Sequence, residues 1–257
     1  MTEGEFCMIS LYDGTSAGID VSGNSTLSLG CGMKTNSKSD NAVIATGSSS
    51  VEASPVAAVG GIEGSNNFVG DTTIQPYAAA QTDPLGHLPD PPAQTNCQDA
   101  VTVAPNSSQT LEPGCYEGLT FKGTATLEPG TYYVTGDVDF TAQANVTGEG
   151  VTIVLTGPGG EAGDLKINGQ AAIDLSAPGA DDGEPYPGVL FFRDRRASTI
   201  EVKINGGADM AFEGALYFPT TDLFFAGNSG MEVQCMQVVG RILKFRGTTD
   251  ITNECPE

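Results

Sequence analysis

A short phrase recurs eight times in this chain: an apolar residue, any residue, a small residue, three further residues, and a second apolar residue. It first reads Val21-Ser-Gly23-Asn-Ser-Thr-Leu27. It returns from Ala45 to Val51, Phe121 to Leu127, Phe140 to Val146, Ile167 to Ile173, Ile204 to Met210, Phe225 to Met231 and Phe245 to Ile251. The small residue falls at 23, 47, 123, 142, 169, 206, 227 and 247, being alanine at 142 and glycine elsewhere, with gaps of 24, 76, 19, 27, 37, 21 and 20 residues. Five of those gaps match one coil of a β-solenoid, in which stacked units, each too small to bury a core alone, share one. The gaps of 76 and 37 cross Pro-rich and acidic stretches and read as insertions. The expected fold is all-β: a single right-handed β-helix over residues 1–257, of about eight to ten coils, with two surface insertions.

Charge narrows the partners. The 257 residues carry 32 acidic and 11 basic side chains, a net charge of −21. Phosphate recognition needs clustered Lys and Arg, so nucleic acid and anionic membrane surfaces are disfavoured. No run of 18 apolar residues exists to span a bilayer. The start, Met-Thr-Glu-Gly-Glu-Phe, is too acidic and too poor in apolar residues for a signal peptide.

Six cysteines stand at 7, 31, 97, 115, 235 and 255. Paired in order, they are 24, 18 and 20 residues apart, each close to one coil. Neighbouring coils stack about 4.8 Å apart, within the Cα separation of about 4.4–6.8 Å that a disulfide needs. The expected pairs are Cys7–Cys31, Cys97–Cys115 and Cys235–Cys255. No CxxC pair suggests zinc. Three disulfides imply an oxidising compartment. The expected location is therefore extracellular or in the cell envelope, with the export segment outside this sequence. Cys7 and Cys255, near the two termini, suggest that the ends of the stack are stapled.

Residues 1–68 read as the first coils. Residues 69–96 hold Pro76, Pro84, Pro89, Pro91 and Pro92, too many for a paired sheet, and read as an extended arm over the solenoid, tied down at Cys97. The period resumes at Val101. Leu111-Glu-Pro-Gly-Cys-Tyr116 and Leu127-Glu-Pro-Gly-Thr-Tyr132 each place a Pro-Gly turn before a strand. Val151-Thr-Ile-Val-Leu155 and Val189-Leu-Phe-Phe192 read as continuous runs dominated by apolar residues, as suits strands buried on both sides. Residues 176–188 form an acidic, turn-rich loop.

The order of several phrases resembles the C-terminal region of TadG-like proteins, which belong to the tight-adherence (Flp) pilus systems. The resemblance runs from about residue 7 to 255. It is carried by Val21-Ser-Gly-Asn-Ser-Thr-Leu27 with Gly30-Cys31-Gly32 and Asn36-Ser37, by Asp83-Pro84-Leu85 before Cys97, and by Pro113-Gly114-Cys115-Tyr116. Pro129-Gly130-Thr131-Tyr132, Gly150-Val-Thr-Ile-Val-Leu155, Gly188-Val-Leu-Phe-Phe-Arg-Asp194 and Gly214-Ala-Leu-Tyr-Phe-Pro219 follow in that order. The resemblance implies a role in pilus biogenesis or adhesion, a membrane helix upstream of this exported part, and no catalytic residues to carry over.

Paired carboxylates are the best signal for chemistry. Asp137 and Asp139 alternate with Val138 and Phe140, and would face solvent on one strand. They could serve a glycosidase cleft or bind Ca²⁺ through oxygen ligands; the plainer reading is an ordinary charged outer face. Asp181 and Asp182 suit a turn. Arg193-Asp194-Arg195-Arg196, the one dense basic spot, is expected to pair with carboxylates on adjacent coils. His87, the only histidine, lies in the Pro-rich arm with no Ser or Cys constellation, so a catalytic triad is disfavoured. Asn24, Asn36, Asn168, Asn205 and Asn228 read as corner residues. No Thr-x-Thr run persists over successive coils as an ordered-water array would need. Two functions remain open: a non-catalytic surface or pilus-associated scaffold binding envelope proteins, and a polysaccharide-active enzyme or glycan-binding module. Asp137, Asp139 and Arg195 in one groove would favour the second.

Overall fold

A computed structural model describes residues 6–206, 210–227, 230–234 and 236–254. Every strand pairing in it is parallel, and together they make a solenoid with three faces. Face one carries Val101–Val103, Leu119–Phe121, Val138–Phe140, Leu165–Ile167, Ile200–Gly206, residues 221–227 and residues 242–247, then Ile19–Val21, Val43–Ala45 and Ile62–Glu63. Face two follows the corner that the repeated phrase makes. Face three runs from Gly114–Tyr116 through Gly130–Val134, Val151–Leu155, Val189–Arg193, residues 214–218 and 236–240 to Phe6–Ser10, Gly32–Thr35, Val56–Ala58 and Ile74–Gln75. The one helical element among the described residues is a 3-10 turn at Pro158–Gly160. Among the described residues no helix is long and apolar enough to cross a membrane.

The phrase works as read. Its first apolar residue points into the core at the end of a face-one strand, and these residues form one column. Phe121, Phe140, Ile167, Ile204, Phe225, Phe245, Val21 and Ala45 sit in register, all buried. Phe121 stacks on Phe140 at 4.9 Å and Phe225 on Phe245 at 5.0 Å. The small residue turns the corner. Gly23 (φ +82°) and Gly47 (φ +72°) have backbones that side chains resist. Each also touches the rung below: a Cβ on Gly47 would come within 2.9 Å of the Gly23 carbonyl oxygen, and one on Gly23 within 2.9 Å of that of Gly247. One copy slips. Ala125, not Leu127, is the inward partner of Val146, so the corner after Gly123 is two residues shorter.

The order of the rungs differs from the order of the sequence. Residues 6–75 do not begin the stack. The rung at 242–254 receives strand Ile19–Val21 above face one (Phe245 beside Val21) and Thr26–Leu29 above face two (Ile251 beside Leu27). Face three has Phe6–Ser10 laid between residues 236–240 and Gly32–Thr35. The solenoid therefore starts at residue 98, runs to 254, and continues from residue 6 to 75. The gap of 76 residues is no insertion between neighbouring coils. It holds both physical ends of the solenoid and the arm joining them. The 37-residue gap does hold a loop, at 176–188, before strand Val189–Arg193.

Two of the expected disulfides are present. Cys7–Cys31 and Cys97–Cys115 have Cα–Cα distances of 5.8 and 4.6 Å. Cys235 and Cys255 lie outside the described residues. Cys7–Cys31 does not staple an end, because it joins strands in mid-stack. Cys97–Cys115 anchors the arm beside the first rungs.

Face three is buried on both sides. Residues Val151–Leu155 and Val189–Arg193 are all buried. Their outward column runs Val154, Phe192, Tyr217, Val239, Ile9, and it forms a second core with Leu88 of the arm and Tyr186 of the acidic loop. Tyr186 and Tyr217 pack against Phe192 at 4.8 and 4.9 Å.

Removing the ring from the Phe column tests this packing. Phe140→Ala should lower the unfolding free energy by about 3–5 kcal/mol, and Gly47→Ala by about 1–3 kcal/mol through its left-handed backbone and contact with Gly23. Chemical denaturation of the two variants measures both.

Candidate functional site

The alternating strands of face one leave a row of charges outside the Phe column. Asp139, Lys166 and Lys203 occupy successive outward positions, followed by Phe224, Lys244 and Asp20. A shallow cavity of about 390 Å³ opens over this row, lined by Asp139, Asp164, Lys166, Asn168, Glu201, Lys203 and Asn205, with Leu165 and Ile167 beneath.

Its charges are largely matched within the protein. Asp137, at the strand's start, accepts hydrogen bonds from the Asp164 N–H and from Lys166 Nζ, both at 2.9 Å. The Asp164 N–H, with help from Lys166, holds the Asp137 carboxyl below its ordinary value. Asp137 in turn raises Lys166. Burial pushes Asp164 up. Glu201 binds Lys244 at 2.9 Å, and that hydrogen bond lowers its pKa. Asp222 meets Arg241 at 2.6 Å, and Asp20 meets Arg246 at 2.8 Å. Lys203 and Arg246 lie over the Phe224 ring at 5.8 and 6.0 Å. For calcium, Lys166 already supplies the counter-charge beside Asp137 and Asp139. Among the described residues no group of three or more His, Cys, Asp or Glu stands together as a metal site.

Arg195 does not join this groove. The run Arg193-Asp194-Arg195-Arg196 ends a face-three strand, and it mostly serves the arm rather than adjacent coils. Arg195 donates to the carbonyls of Gly86 and Leu88 at 3.1 and 3.2 Å and pairs with Asp90 at 3.3 Å. Its guanidinium lies over Phe192 and Tyr217 at 5.7 and 5.4 Å. Arg196 binds the Pro91 carbonyl at 3.0 Å while gripping Asp194 through both Nε and Nη2. Tyr217 donates to Asp83 at 2.7 Å. Asn36 clamps the backbone of Gln81 from both sides, at 2.7 and 2.8 Å.

Asp194 organises the clamp. It is fully buried. Burial pushes its carboxyl up, but hydrogen bonds from the Arg196 side chain and N–H and from Thr156 bring it below its ordinary value. Arg193, buried beside it, donates to the Ser198 carbonyl and to Thr221 at 3.0 and 3.2 Å; burial pulls its pKa down, against the nearby Asp164 and Asp194.

The remaining candidates are local. His87 is exposed, its Nδ1 3.0 Å from the Pro84 carbonyl oxygen. Asp182 accepts from the Gly179 N–H at 2.7 Å, closing a turn, and Asp181 is exposed. Asn205 donates to the Ile167 carbonyl on the rung below at 3.2 Å. On face two, Ser108-x-Thr110, Thr124-x-Thr126 and Asn145-x-Thr147 do align in register, a patch of three rungs that the linear sequence did not reveal. Sequence reasoning missed Tyr217 and Asp83 as partners, because 134 residues separate them and neither sits in a motif. No family model, no curated protein and no solved structure matches this chain.

Arg195→Ala should expose the arm. Limited proteolysis is expected to cut within residues 84–92 in the variant before the rest of the solenoid, and to spare that stretch in the parent; hydrogen bonds to a charged donor contribute roughly 1.5–3 kcal/mol. Acid should act at the same place. The folded-state pKa of Asp194 lies below its unfolded value, so its contribution is present above about pH 4 and lost as pH falls through the folded pKa. Thermal melting between pH 2 and 6 should show this drop, and Asp194→Asn should be less stable near neutrality with a shallower acid slope.

Proposed function

We propose that this chain is a non-catalytic β-solenoid of the cell surface or envelope, a rigid acidic scaffold used in pilus assembly or adhesion. We read it as right-handed, the near-universal sense of parallel β crossovers, and as about ten coils, in keeping with the ten strand positions of face one. The observation that carries the non-catalytic reading is the charge matching in and around the groove: Asp137, Glu201, Asp222 and Asp20 each have a Lys or Arg partner. A glycosidase requires two carboxyl groups about 5–9.5 Å apart, tuned to opposite protonation states. Here the Asp164 N–H and Lys166 hold Asp137 charged and Lys244 does the same for Glu201, while Asp164, which burial raises, faces Lys166 at 4.0 Å. The disulfides Cys7–Cys31 and Cys97–Cys115 support an oxidising setting. The resemblance to TadG-like proteins supplies the pilus association.

A second reading, glycan binding without turnover, draws on Asn168, Asn205 and Lys203 around the groove, with Phe224 next in the row. A glycan array together with a reducing-end assay on acidic polysaccharides tests both. The scaffold reading expects no release of reducing ends. Turnover that Asp139→Ala abolishes would overturn it, while array binding lost in Lys203→Ala without turnover would favour the glycan-binding module. Chelation should leave the melting temperature unchanged, because Lys166 already holds the Asp137 carboxylate that calcium would need.

A further inference from the structure

The two physical ends of the solenoid are built from the middle of the chain, and they are unlike. At the upper end the last rung has one inward-facing residue per face: Ile62 above Val43, Phe68 above Val51 and Ile74 above Val56. Among the described residues no further coil covers them. Ile62 and Phe68 are only half-buried against the core, Ile74 is 42 % exposed, and Val69 and Tyr77 beside them are 39 % and 75 % exposed. All three exposed large apolar residues of the described chain lie on this rung. The same rung offers unpaired backbone. Val56 N–H donates to the Thr73 carbonyl, and Val51 exchanges bonds with Asn67 and Val69. In a parallel ladder successive residues point their N–H and C=O to opposite sides, so Ile74 and Phe68 turn theirs to the open end.

At the lower end the first rung presents the matching edge. Val101 N–H donates to Gly118 and Lys122 N–H to Val103, so Thr102 between them turns its backbone groups outward. On face two Thr124 N–H donates to Ser107 and Glu128 N–H to Leu111, which leaves Ser108 and Thr110 facing the open edge. On face one Val43 N–H donates to the Gly61 carbonyl, which turns Ile62 to the open end as well, so each end offers free backbone on faces one and two in the same cyclic order and polarity.

We propose that copies of this chain stack head to tail, the Ile62–Phe68–Ile74 rung of one copy taking the rung at 98–111 of the next as its continuation. Three arguments select a second copy as the occupant. A single extended peptide pairs with one face, whereas this solenoid supplies strands on several faces at once. The molecule already makes such a joint, because the rung at 242–254 accepts the separate segment 6–35. The apolar rung is the kind of surface that terminal repeats otherwise cover. The contact is heterologous and does not close, so it propagates into filaments.

Charge sets its condition. Residues 39–121, which include both ends and the arm, contain no Lys or Arg. Glu63 and Asp71 at the upper end meet Asp99 and Glu112 at the lower. Screening over about 10 Å at 0.1 M salt tightens to about 3 Å at 1 M, so stacking strengthens with salt.

Sedimentation velocity on the oxidised full chain, across a hundredfold concentration range at 0.05 M and 1 M NaCl, tests this. Species growing past dimer are expected, more so at 1 M. Ile74→Asp blocks the upper end with an exposed substitution, and Thr102→Pro removes an edge N–H at the lower end; circular dichroism checks that both remain folded. Each variant alone should associate at least tenfold more weakly, and their equimolar mixture should stop at a dimer, since each keeps one good end. Three results would overturn the proposal: a monomer at every concentration and salt, a dimer that Thr102→Pro leaves intact (two upper ends face to face), or association that neither variant moves.

Discussion

Parallel pairing of one rung on the next is the constraint from which the rest of the molecule follows. A rung of three short strands cannot stand alone, because each strand buries only its inward residues and leaves its edges open. Stacking satisfies both needs at once. It aligns Phe121, Phe140, Phe225 and Phe245 in one column and passes backbone hydrogen bonds from rung to rung. It also makes the corner glycines unavoidable, since Gly23 and Gly47 approach the neighbouring rung too closely for a side chain.

The same logic explains how two distant parts of the chain make one continuous stack. The edge left by residues 236–254 needs strands of matching polarity and spacing, not strands next in sequence. Residues 6–35 provide them. The consequence is a long return path. After Ile74–Gln75 the chain must travel back beside the stack to begin again at 98, and the Pro-rich segment is that path. Proline suits it because a missing N–H costs little where the chain runs outside the sheet ladder. The arm's backbone carbonyls are met by Arg195 and Arg196, and its Leu88 fills the outer face of face three. A segment that reads as a surface decoration is thereby part of a second core.

Charge follows a comparable division. With 32 acidic and 11 basic residues, basic side chains are scarce, and their placement is informative. Lys166, Lys203, Lys244 and Arg246 share face one, and Arg195 and Arg196 hold the arm. The ends receive none. Long stretches of the surface therefore repel like copies at low salt, while the groove and the clamp are locally balanced.

The sequence by itself determined the local unit. The repeated phrase encodes a strand end, a corner and the next strand; the cysteine spacing encodes contact between neighbouring rungs; the largely apolar runs at 151–155 and 189–192 encode strands buried on both sides. These are short-range facts, written by side-chain period and backbone freedom. Only the tertiary structure decided the order of the rungs, the pairing of residues 6–29 with residues 236–254 in mid-stack, the clamp on Asp83, Gly86 and Pro91, and the grouping of Asp139, Lys166 and Lys203 into a groove apart from Arg195. The physical reason is that every rung offers nearly the same edge to every other. Local sequence fixes what can stack, and the choice among equivalent edges is made by the whole set of contacts, including an arm whose partners lie more than a hundred residues away.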